Sequence, residues 1–178
     1  MPSNDRAVSF IHRSIAASRR VSRMLYLLPF SPVRGIVRTL LARHVSTLLD
    51  VGCGAGHASE AIKLARKVYC IGVDLRLDSL SDAKRSQALD EAVFGDARHL
   101  PFRGKSFDAG VCVEVLEHLS KDSGLKLLND LECICRAQVL VTTPVGFRRE
   151  PPSQTGIPCM KHLAGWTPAE LRELGICG

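Results

Sequence analysis

An α/β fold with a doubly wound, mostly parallel sheet is predicted by three observations. Short apolar runs alternate with helical patterns from residue 46 onward. The first run, Leu48-Leu49-Asp50-Val51, breaks at three alternating glycines, Gly52, Gly54 and Gly56. Acids stand at the ends of three successive runs, as Asp50, Asp74 and Asp96, and open α/β sheets take their ligands at the carboxyl ends of the strands.

The glycine run reads as a strand, a tight turn and a helix start. Glycine permits positive φ and close approach of a ligand to the backbone, and a helix N-terminus favours electron-rich groups. A dinucleotide fingerprint wants G-x-G-x-x-G, and His57 occupies the place of the third glycine. Asp50 is placed to meet a cationic or hydrogen-bond-donating ligand. A plain strand–helix turn is the blander account of the same residues. The helix should run from about His57 to Lys67, with Ala61, Ile62 and Ala65 toward the sheet.

Val68–Val73 reads as the second strand, and Asp74 after it suits the two hydroxyls of a ribose. A helix over about Leu77–Ser86 follows. Ala92–Gly95 reads as a short third strand; behind it the Asp96 carboxylate can accept from an exocyclic amine, and the Ala97 amide can donate to a ring nitrogen. Each acid taken singly is also a plausible helix N-cap. Asp108–Val113 is the fourth strand, Ser120 caps a helix through about Arg136 with Leu125, Leu128 and Leu131 on one face, and Gln138–Thr143 is the fifth strand. The stretch from Pro144 to Gly165 reads as a long loop with Pro144, Pro151, Pro152 and Pro158, and loops of that length are usually functional. Thr167-Pro168-Ala169-Glu170 spells a capping box with proline at the first helical position, and Gly175 suits the C′ position.

The 178 residues are 46% hydrophobic, enough for one domain with a core. No run approaches the roughly 18 apolar residues of a membrane span. The seven cysteines, with Cys70, Cys112, Cys133 and Cys135 inside predicted elements, read as buried reduced thiols of an intracellular, cytoplasmic protein. Cys133-x-Cys135 lacks metal-ligand spacing, and no metal site is read from the sequence.

Charge divides the chain. Residues 1–46 hold eight arginines and one acid, Asp5, a net of +7, which leaves −1 for the remainder of a chain at +6. Residues 1–45 are therefore read as a basic amphipathic helical extension. A first helix is expected from about Val8 to Leu28. A second starts at Ser31 and Pro32 and carries the stripe Val33, Ile36, Val37, Leu40 and Leu41. The extension suits a lid over the cofactor site, a peripheral surface for anionic lipid, a mitochondrial or other organelle transit peptide, or RNA contact. The near-neutral body weakens the case for nucleic acid.

The segments Leu48–Gly56, Gly72–Leu75, Gly95–Phe102 and Ser106–Leu119 resemble the successive motifs of class I S-adenosylmethionine-dependent methyltransferases. The likeness covers about residues 46–176. It is nearest to the small-molecule group whose fourth strand runs into a VLEH segment, here Val115-Leu116-Glu117-His118. Thr142–Phe147, with His162-Leu163 and Gly165-Trp166-Thr167, resembles a TPxGF…HLxGWT subgroup.

The resemblance implies a Rossmann-like methyltransferase domain over residues 46–178 with S-adenosylmethionine as cofactor. It implies that Asp50 and the turn Gly52, Cys53, Gly54 and Gly56 place the methionine moiety. Asp74 and Leu75 would bind the ribose, Asp96 and Ala97 the adenine, and Cys112 and Val113 would lie against the cofactor. Glu114, Glu117 and His118 would face the acceptor, with Glu114 and His118 the catalytic candidates and His118 suited to general base chemistry. Structural duty at the helix start is the alternative for His118. His162 and Trp166 are expected at the acceptor pocket or in simple loop packing. The fold it resembles continues with two more strands that are not read here, so the expectation is an incomplete sheet whose open edge is a liability or is covered by another chain. The functional expectation is methyl transfer to a small or lipid-like acceptor. The alternatives are a methyltransferase-like binding protein without turnover, an RNA methyltransferase, and a nicotinamide-dependent oxidoreductase.

Overall fold

The computed structural model describes residues 25–26, 44–146 and 161–174. Its elements in chain order are β1 (Leu25–Tyr26), β2 (Thr47–Val51), α1 (His57–Lys63), β3 (Tyr69–Asp74), α2 (Leu77–Arg85), β4 (Glu91–Phe94), β5 (Phe107–Val113), a 3-10 turn (Leu116–His118), α3 (Lys121–Ile134), β6 (Cys135–Thr143) and α4 (Pro168–Glu173). The strands lie in the order β1-β6-β5-β2-β3-β4. Every pairing between them is parallel.

Winding on both faces follows from strand periodicity. Successive side chains alternate between faces, so Leu48 and Leu49 enter different cores. On one face Leu48, Cys70, Val111 and Leu140 pack with Ile62 of α1 and with Leu80 and Ala83 of α2. On the other, Leu49, Val51, Cys112 and Val141 pack with Leu125, Leu128 and Leu131 of α3 and Leu171 of α4. The central strands β2, β5 and β6 are buried on both sides, which is why they read as continuous apolar runs.

Local signals fix the helix ends. The Ser120 hydroxyl accepts from the Ser123 amide at α3. At α4 the Thr167 hydroxyl and the Glu170 carboxylate cap each other's backbone, with Pro168 in the first turn. Glycine alternation at the turn after β2 is a steric requirement at Gly52, whose φ is +67° and where a Cβ would stand 2.3 Å from Val115 Cγ2.

Several boundaries differ from the sequence reading. Helix α1 ends at Lys63 rather than Lys67, and Ala65 is exposed, because the chain turns to deliver buried Val68 to the sheet. Strand β6 begins at Cys135, directly where α3 stops. Cys133 is exposed, whereas Cys53, Cys70, Cys112 and Cys135 are buried free thiols. Leu25 and Tyr26, expected near the end of a helix, instead pair with Thr142 and Thr143 of β6. The chain's own N-terminal segment thus occupies part of the sheet edge expected to lie open.

The remaining expectations of the extension, including the Ser31–Pro32 start and its apolar stripe, lie outside the described residues. So do Pro151, Pro152, Pro158 and Gly175. None of the helices among the described residues is long and apolar enough to cross a membrane.

Candidate active site

Sequence order along the sheet reverses beside β2. The chain runs outward through β3 and β4, then returns to place β5 on the other side of β2. Such a switch point opens a crevice at the strand ends. A cavity of about 650 Å³ lies there, and its wall takes residues from the turns after β2, β3, β4 and β5.

Gly52 and Gly54 form the floor after β2. Gly54 has φ +51° with no atom within 4 Å of where a Cβ would stand, so this backbone is open to close approach. Asp74, at the end of β3, holds the turn in place. Its Oδ2 accepts from the Gly54 amide at 2.8 Å and its Oδ1 from the Arg76 amide at 2.9 Å. Exposed Leu75 follows on the cavity wall. After β4, Asp96 and Ala97 line the wall with Arg98. The Arg98 guanidinium bonds both Asp96 oxygens, at 3.0 and 2.9 Å from Nε, and holds that carboxyl below its usual range.

Asp50 lies behind this wall. It is 1% exposed and accepts from the Ser59 hydroxyl at 2.6 Å. Burial raises its pKa to about 6, against the lowering effect of the Ser59 bonds. Cys53 is likewise turned inward, with burial pushing its thiol far above the ordinary range. Gly56 serves as the N-cap of α1 with φ +80°. Cys112, expected against a cofactor, is fully buried in the α3-side core, and Val113 packs into the opposite core. Strand alternation sends both side chains into the packed layers, and the wall instead takes Glu114 and Val115, just past the strand.

The other half of the cavity is built from residues after β5. Glu114 adopts φ +55°, a left-handed conformation that costs a non-glycine residue free energy. Its amide donates to the Thr142 carbonyl at 3.0 Å, and its Oε1 accepts from the Thr142 hydroxyl at 2.9 Å. Glu117 is buried and accepts from the Thr143 hydroxyl at 3.0 Å. Burial drives its carboxyl well above the usual range, and the neighbouring Glu114 carboxylate adds to the push. His118 lines the cavity and packs edge-to-face on His162, ring centres 4.9 Å apart.

His162 comes from far along the chain. The Leu163 and Ala164 amides donate to the Glu117 carbonyl at 2.7 and 3.2 Å, docking that segment beside the 3-10 turn. Leu163 joins the wall, while His162 is joined to it through His118. Trp166, expected at the acceptor pocket or in loop packing, is a core residue. It is 1% exposed, packs so closely on Gly124 that a Cβ there would meet its ring at 2.6 Å, and donates from Nε1 to the Leu116 carbonyl. A large apolar ring with one satisfied polar atom is better buried than open to a ligand.

Residues 49–137 match a family model described as a methyltransferase domain. The chain belongs to this methyltransferase domain family. Among relatives, a malonyl-[acyl-carrier protein] O-methyltransferase of Yersinia pestis is 38% identical over 61 residues, 34% of this chain and 22% of that protein. A norajmaline N-methyltransferase of Rauvolfia serpentina is 28% identical over 103 residues, 54% of this chain and 32% of that protein. A SAM-dependent methyltransferase of Archaeoglobus fulgidus superimposes with a TM-score of 0.59 at 21% identity, covering 79% of this chain and 66% of that one. That likeness shows the shared Rossmann-like fold. The methyltransferase domain spans about a third of the length of the curated relatives it matches.

Proposed function

We propose that this chain binds S-adenosylmethionine and transfers its methyl group to a small or lipid-like acceptor. The observation that carries the reading is the placement of Gly54, Asp74 and Asp96 at the ends of adjacent parallel strands around one cavity. The residues suit the nucleotide. Asp74 offers a carboxylate already oriented by two backbone amides, which leaves lone pairs for ribose hydroxyls. Leu75 and Ala97 offer apolar contact for a base. Asp96 would accept from an exocyclic amine once Arg98 swings aside. Open backbone at Gly54 would admit the amino-acid portion.

When bound, the cofactor supplies an activated methyl group, so the protein's tasks are orientation and exclusion of water. Glu114 and His118 line the other half of the cavity and face the acceptor in this reading. Apolar Val115, Leu119 and Leu163 on the wall favour an acceptor with hydrocarbon character. The two named relatives are an O-methyltransferase and an N-methyltransferase, so family membership leaves the methylated atom open.

Calorimetric titration with S-adenosylmethionine and S-adenosylhomocysteine tests the proposal, with a nicotinamide dinucleotide as control. The expected result is saturable binding of both sulfur nucleotides, weakened at least about tenfold by Asp74→Ala, since hydrogen bonds to a charged group contribute roughly 1.5–3 kcal/mol. A folded, monodisperse sample that binds neither, or that binds the dinucleotide instead, would overturn it.

A further inference from the structure

Glu117, His118 and His162 each bring one metal-ligating atom to within 4.8 Å of the others. We propose that these three side chains, supported by Glu114, form a binding site for a divalent transition-metal ion at the acceptor end of the cavity.

The donor set argues for the class of ion. Two imidazoles and a carboxylate suit zinc, iron, cobalt or manganese, whereas magnesium and calcium prefer shells of oxygen. The distances argue for feasibility. Ligand atoms bound to one ion at about 2.1 Å stand no more than about 4.2 Å apart. Side-chain rotation of about 1 Å or less therefore closes the observed set.

Outer contacts supply the orientation a metal site needs. His118 Nδ1 lies 3.3 Å from the Lys161 carbonyl oxygen. A carbonyl can only accept, so Nδ1 is the donor in that bond and Nε2 is the nitrogen that would ligate the ion. Thr143 and Thr142 hydroxyls donate to Glu117 and Glu114 and fix both carboxyls. The amides of Leu163 and Ala164 lock the segment carrying His162 onto the Glu117 carbonyl.

The ion's use in chemistry rests on the methyl-transfer reading. An oxygen acceptor coordinated there would lose its proton more readily. That proton would pass to Glu114 or to water, the oxygen–methyl bond would form, and the methyl–sulfur bond would break with its electron pair left on sulfur. Metal binding itself does not depend on that reading, and the two fail separately because the titration below contains no cofactor.

The chelator-treated 178-residue chain is titrated with cobalt(II), read by visible absorption and by calorimetry. The expected result is one equivalent bound with a micromolar or tighter dissociation constant and ligand-field bands in the visible region. Affinity should fall at least about tenfold in His162→Ala and again in Glu117→Gln, each checked for folding by circular dichroism. His162→Gln, which retains bulk in the loop, guards against loss through misfolding. His99→Ala should bind like the parent. Absence of binding by the folded chain, or binding indifferent to His162 and Glu117, would show that the histidine pair is packing only.

Discussion

The two halves of the cavity are built on different physics. Asp74 accepts from the Arg76 amide two residues on and from the Gly54 amide across the neighbouring strand, and Asp96 is paired with the Arg98 guanidinium two residues on. Around exposed Glu114 and buried Glu117 the carboxyls are oriented by threonines from a neighbouring strand. The first half rests mainly on contacts between residues two apart, with one bond between adjacent strand ends. The second exists only when β5, β6 and the 161–166 segment meet. The fold thus sets an end of the cavity held by contacts close in the chain beside one assembled from distant segments.

Breaking the assembled half should cost most. Trp166→Ala removes a fully buried ring between the 3-10 turn and α3, and should destabilise the chain by about 3–5 kcal/mol in urea unfolding. A loss under about 1 kcal/mol would show that the 161–166 segment is not anchored by this residue.

Asp50 probes the boundary between the halves. Its folded pKa of about 6 exceeds the ordinary carboxyl value of 3.8. The folded state therefore holds the proton more tightly than the unfolded state between those values. The stabilisation from this group is fully present below pH 3.8, falls as pH rises, and is lost above about 6, an effect of up to roughly 3 kcal/mol. Asp50→Asn should raise the melting temperature relative to the parent at pH 7.5, and the gap should close toward pH 4. A gap independent of pH would mean that Asp50 does not titrate in this window.

On the cradle side, Asp74→Asn keeps one carbonyl acceptor and loses the charge. It should weaken S-adenosylhomocysteine binding about tenfold or more while leaving stability within about 1 kcal/mol. Equal affinity in calorimetry would remove Asp74 from the site. The smallest effect is expected at Thr143→Val, which takes a donor from Glu117 and should cost about 1 kcal/mol of stability without changing nucleotide affinity. Coupled losses in both readouts would mean that the two halves are not independent.

The cradle was legible because its signals are contiguous. Glycine alternation, an acid at a strand end and a capping serine each act within a few residues, so Gly52, Gly54, Asp74 and Asp96 could be placed at the cavity from sequence. Side-chain direction at the strand ends was harder. Cys112 and Val113 sit at the correct height but face the packed layers, a matter of strand parity and of where β5 stops. Trp166 stood open between the acceptor pocket and loop packing, because an aromatic in a loop motif fits a pocket and a core equally well until its packing against Gly124 is known. The meeting of His162 with Glu117 and His118 depends on amide bonds between distant segments. No local pattern encodes it, although the adjacent Glu117-His118 pair was a visible half of the signal. Leu25 and Tyr26 were read as helix because apolar residues among arginines suit an amphipathic face. The edge of β6 offered the backbone a better partner.

Glu114 shows what such a corner asks of evolution. Its left-handed backbone is one that glycine would adopt without strain, so Glu114→Gly is a change that could make the chain fold more readily. The same change would strip a carboxylate from the cavity wall. Drift toward stability therefore works against keeping a carboxylate on this wall. The persistence of an acid at this position in active relatives, or its replacement by glycine in inactive ones, would separate working copies of the domain from retired ones.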